Sequence, residues 1–198
     1  MKKLKNLKFN LEADIYNDEL IENATSCNYE FCTNCIHDSI NAKSFENCIH
    51  DLIINEYVDL MRNFQQHCSH SCFDHCLYVS YTAYKVCKIL NLDYISAARG
   101  ALLHDMFLYD WRNTQLPEGR HAFVHADIAF RNANQVFTLN DREKDIITKH
   151  MWPVTLSLPR YKESYIVGLI DKYCTFREIQ NYYCSFIKYN YKGEKVNE

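Results

Sequence analysis

Seven side chains of metal-ligating type fall at or beside positions of helical periodicity: His70, His75, His104, Asp105, His125, His150 and Asp171. The adjacent pair His104-Asp105 carries most weight. It closes the apolar run ALLHDMF, where successive helical residues project roughly 100° apart. Ionisable groups inside such a stretch cost several kcal/mol unless they pair with one another or hold a metal. The chemistry to expect is therefore metal ligation by imidazole and carboxylate.

Helices must position these groups. Leu77, Tyr81, Tyr84 and Cys87 recur at three and four positions in CLYVSYTAYKVCKIL, which predicts a helix from about Phe73 to Leu90, stopped by the polar NLD. A second starts near Tyr94 and runs through the small residues Ser96, Ala97, Ala98, Gly100 and Ala101, which admit a close neighbour. Gly100 costs about 1 kcal/mol of helix propensity against alanine, so packing or function must offset it. A third helix begins near Phe123, after a polar loop with Pro117 and Gly119. The next has both ends signalled: Asn140 as N-cap, Glu143 as its capping-box partner and Pro153 just past the end. The last, ESYIVGLIDKYCTFREI, has Ile166, Leu169, Ile170 and Tyr173 on one face, with a frayed tail expected in KYNYKGEKVNE.

Composition agrees with an all-α domain. The 198 residues include only four glycines and three prolines, and the first 116 positions hold one glycine and no proline, too few turn residues for a sheet-rich fold. With 22 basic and 25 acidic side chains the net charge is −3, which offers no footprint for nucleic acid or an anionic membrane. The basic start MKKLKNLKF lacks an apolar segment after it, and no run of eighteen apolar residues occurs, so a cytoplasmic chain is expected. Reduced thiols then make the ten cysteines core filler, metal ligands or reactive groups rather than a disulfide framework. Residues 1–60 read as an N-terminal extension, helical in its second half, and residues 61–190 as the domain proper.

The ordered ligands resemble the HD superfamily of metal-dependent phosphohydrolases. In DHCLYVSYTAYKVCKILNLDYISAARGALLHD, His75 precedes His104-Asp105 by 29 positions, FVHADIAF supplies His125, IITKHMWP His150 and IVGLIDKYC Asp171. The likeness covers about residues 65–178. It implies an HD-type helical bundle with the metal site between helices. Asp105 would be the catalytic, bridging ligand; His75, His104 and Asp171 would complete one metal position, and His125 with His150 the other. Donors of this type suit iron or manganese, with zinc, nickel or magnesium as alternatives. The implied substrate is a small phosphorylated molecule, a nucleotide among the candidates, hydrolysed by metal-activated water.

Further groups are read as substrate contacts: His67, Arg112, His121, Lys149 and Arg177, with Lys172 beside Asp171. His121 competes with His125 for the ligand role, being four residues earlier on the same face. Trp111 or Trp152 would suit stacking on a base. Cys68, Cys72 and Cys76 form a helical stripe that reads as core. Cys27, Cys32, Cys35 and Cys48 lie outside the ligand pattern, although Cys32 and Cys35 have zinc-ligand spacing. Two other readings share the ligand set: a di-iron HD-type oxygenase, and a non-enzymatic metal-binding or sensor module. Oligomeric state is not legible.

Overall fold

The computed structural model describes residues 39–66 and 70–192, with side-chain placement for 43–66 and 70–180. His67 and Cys68 lie outside the described residues, as do Cys27, Cys32 and Cys35. The chain divides into two compact units, Met1–Glu46 and Asn47–Glu198. Within the first, the described residues are the start of helix α1 (Ser39–Ile53).

The regular structure of the second unit is helical among its described residues, joined by turns and loops. Beyond the rest of α1 it contains α2 (Glu56–Asp59), a 3-10 turn (Leu60–Asn63), α3 (Cys72–Ile89), α4 (Tyr94–Leu103), α5 (His121–Val136), α6 (Asp141–Lys149) and α7 (Lys162–Lys192). Local chemistry sets the boundaries. Ser71 caps α3 by accepting from the Asp74 N–H, and Asp93 caps α4 through the Ser96 N–H. Asn140 and Glu143 form the expected reciprocal capping box at the start of α6. After α3, Asn91 takes the left-handed conformation at φ 53°, and Leu92 N–H returns to the Cys87 carbonyl.

Helices α3, α4, α6 and α7 enclose a core of Val79, Ala83, Cys87, Ala97, Ala101, Ile146, Val167 and Cys174. Each fully buried Val or Ile contributes about 1.5–3 kcal/mol. Two glycines allow the close approach this requires. A Cβ at Gly100 would meet Ile146 side-chain atoms at 2.9–3.0 Å, so its propensity cost is offset by α4–α6 contact. A Cβ at Gly168 would stand 2.9 Å from the His150 carbonyl oxygen. Cys72, Cys76, Cys87 and Cys174 are buried free thiols, as core filler should be.

Two features of α7 go beyond the sequence reading. The buried face of α7 is Val167, Gly168, Asp171, Cys174 and Glu178; Leu169 is 65% exposed, and Ile166, Ile170 and Tyr173 flank the core. Turning Asp171 inward rotates the helix away from its most apolar stripe. Helix α7 also continues to Lys192, into the first five residues of the segment read as frayed, with no glycine or proline between Gly168 and Gly193 to stop it; residues 193–198 lie outside the described residues. No helix among the described residues is long and apolar enough to cross a membrane.

Candidate metal centre

Five helices bring six ligand-type groups together. His75 comes from the first turns of α3, and His104 is the C-cap of α4, with Asp105 next in the chain. His125 lies on α5, His150 is the C-cap of α6, and Asp171 projects from α7. All six are at least nine-tenths buried. Helices α4 and α6 thus end at the cluster, and the negative poles of their dipoles, each worth about 0.3–1 kcal/mol at a terminus, favour positive charge there.

Hydrogen bonding fixes the rings. Nδ1 of His104 donates to the Ala101 carbonyl at 2.6 Å, that of His125 to the His121 carbonyl at 2.8 Å and that of His150 to the Ile147 carbonyl at 2.9 Å. His75 Nδ1 donates to Glu178 Oε1 at 2.9 Å. Carbonyls and carboxylates only accept, so each Nδ1 carries hydrogen and each neutral ring presents a lone pair at Nε2.

All four Nε2 atoms point at the carboxylates. His75 Nε2 is 3.1 Å and His104 Nε2 3.6 Å from Asp171 Oδ1. Asp105 Oδ2 lies 3.4 Å from His104 Nε2, while its Oδ1 lies 3.2 Å from His125 Nε2 and 3.5 Å from His150 Nε2. His125 and His150 meet Nε2 to Nε2 at 2.9 Å. Among the described residues, two sets have spacing suited to a metal ion: His75, His104 and Asp171, and His104, Asp105 and His150. No thiol belongs to either.

Burial penalises every charge here, yet the charges persist because they face one another. Burial would raise the Asp105 carboxyl, but positive His104 and the His125 ring facing it hold it well below the usual range. Asp171 is likewise held low by His104 and His75 against its burial. His75 is raised well above its ordinary value, its bonds to Asp171 and Glu178 outweighing burial. Against their own burial, His104 is raised by the Cys76 sulfur and Asp105, and His125 by Asp105. Burial and positive His104 push His150 down to about 3. Protons thus supply positive charge that a divalent cation would supply instead, and even so His104 Nε2 and Asp105 Oδ1 have no hydrogen-bond partner. The donor set fits a cation on both counts.

The expected substrate contacts separate. His121 stacks between Trp111 (5.2 Å, 19°) and His125 (4.5 Å, 20°), and pairs through Nδ1 with the Tyr109 hydroxyl at 2.8 Å. Burial pushes the Tyr109 phenol up to about 12, so its hydroxyl stays protonated. Trp111 stacks on His121, and the Arg112 guanidinium lies 4.5 Å from its ring centroid. Arg112 donates to the carbonyls of Gln65 and Gln66, tying down the segment before α3. Lys149 pairs with Asp145 at 2.9 Å, and Lys172 donates to the carbonyls of His150 and Gly168. Arg177 is half-buried on α7 next to Glu178, and His70 is half-buried with its Nδ1 unpartnered.

Two residues omitted by the sequence reading enter the site. Gln66 donates its amide to Asp105 Oδ2, placed by an isolated bridge between Gln65 and Ser71 that has no periodic signature. Glu178 was legible in principle, standing seven residues, two helical turns, after Asp171. No protein-family model, curated protein or solved structure matches the chain.

Proposed function

We propose that the chain is an HD-type metal-dependent hydrolase acting on a phosphomonoester or phosphoanhydride, with nucleotides among its candidate substrates. The observation that carries this reading is the convergence of four Nε2 atoms and two carboxylates in one buried cluster, with every Nδ1 already engaged. His75, His104 and Asp171 would hold one cation, and Asp105, His125 and His150 a second. Divalent iron, manganese, nickel, zinc or magnesium held there supplies acidified water and neutralises charge on the phosphoryl group.

The chain's own residues prepare that chemistry. Carbonyl bonds from α4, α5 and α6 hold the rings so that no reorientation is needed when substrate arrives. The Tyr109 hydroxyl, paired with His121 Nδ1, and the stacked Trp111 and His125 rings hold the His121 imidazole beside the cluster. Arg112 and Gln66 keep the segment before α3 against Asp105.

Metal analysis of the purified protein and a phosphoester screen test the reading. Bound cation, phosphate release and loss of both in Asp105→Ala are expected. Less than about half a cation per chain after reconstitution, with no turnover of any phosphoester, contradicts it. Oxygen consumption by the iron-loaded protein would move the reaction to the oxygenase class, and a cation without turnover of any kind would leave a sensor or structural module.

A further inference from the structure

Three of the four imidazoles are braced by backbone carbonyls, and His75 alone is braced by a carboxylate, Glu178. Glu178 is buried on α7, and its second oxygen, Oε2, has no hydrogen-bond partner. A carbonyl offers a dipole, whereas a carboxylate offers a full negative charge that strengthens the ring as a ligand. The charge is also unevenly spread. The set of His75, His104 and Asp171 has one carboxylate within it and Glu178 directly behind it. The set of His104, Asp105 and His150, with His125 against it, has only Asp105.

We propose that Glu178 is a positioning residue that makes the Asp171 side of the cluster the tighter of two unequal positions for a divalent cation, so that this side fills first. The inference rests on the cluster being a cation site and is independent of the reaction performed there. Glu178→Gln isolates the charge, because its amide oxygen can still accept from His75 Nδ1. Glu178→Asp keeps the charge and shortens the reach.

Calorimetric titration of the metal-stripped full chain with Mn2+, beside thermal melting of each variant, tests this. The wild type should show two unequal steps. Glu178→Gln should weaken the tighter step about 10–100-fold and leave the weaker one in place, and Glu178→Asp should retain more of the tight affinity. Equal steps in the wild type, an unchanged tight step in Glu178→Gln, equal weakening of both steps, or greater loss in Glu178→Asp than in Glu178→Gln overturns the proposal. A wild type that takes up no Mn2+ overturns it together with the cation reading. Two unequal steps without phosphoester turnover count against the hydrolase reading alone.

Discussion

At the scale of residues, the cluster needs positive charge and takes it from protons when no cation supplies it. His75, His104 and His125 bind protons more tightly than in an unfolded chain. Raised imidazoles stabilise the fold fully below their unfolded value near 6.5, and that contribution disappears as pH rises through the folded values. Metal-free protein should therefore lose melting temperature as pH climbs above about 6.5, and saturating metal should blunt the loss; parallel melts with and without chelator measure this, and identical alkaline slopes contradict it. Asp145 has the opposite sign. Despite burial, its carboxylate is held low by Ser164 Oγ, Lys149 and the N–H groups of Arg160 and Tyr161. Its contribution is present above the unfolded value near 3.8 and is lost as pH falls through the folded one. Asp145→Asn should cost about 1.5–3 kcal/mol at neutral pH by denaturant titration and flatten the acid limb of stability.

At the scale of elements, ligand position depends on how closely α4, α6 and α7 approach. In Gly168→Ala the new Cβ would stand 2.9 Å from a backbone oxygen of the ligand His150, and backbone cannot rotate aside. Alanine adds up to about 1 kcal/mol of helix propensity, but overpacking costs about 1–3 kcal/mol, so a net loss is expected. Denaturant unfolding checks the stability, and metal affinity should fall with it because His150 moves. The elements also show why some of the site was legible. Helix caps at Asn140 and Asp93 are local chemistry, so the lengths of α4 and α6, and with them the placement of His104 and His150, could be read directly. The face of α7 could not be read from hydrophobicity, because Asp171 and Glu178 turn inward at the expense of Leu169. Gln66 was invisible for a different reason: a bridge between Gln65 and Ser71, not a periodic element, brings it to Asp105.

At the scale of the molecule, the cluster joins five helices of the unit Asn47–Glu198, so metal occupancy and folding should be linked. A cation at about 100 times its dissociation constant adds about 2.7 kcal/mol to stability. For a chain of this size that corresponds to a rise of about 5–10 °C in Tm, reversed by chelation. Scanning calorimetry with and without metal reads it, and an unchanged Tm at proven occupancy would show the cluster to be decoupled from the fold. The composition foretold the helices, since the scarcity of glycine and proline left little room for sheet turns. The ten cysteines foretold less, because the described buried ones pack the core and none enters the ligand sets. The most direct measurement is an anomalous difference map from crystals grown with Mn2+. One peak is expected between His75 and Asp171 and another beside His125 and His150. A map with no peak among these six residues, at a Mn2+ concentration that saturates the protein in solution, would contradict the cation reading.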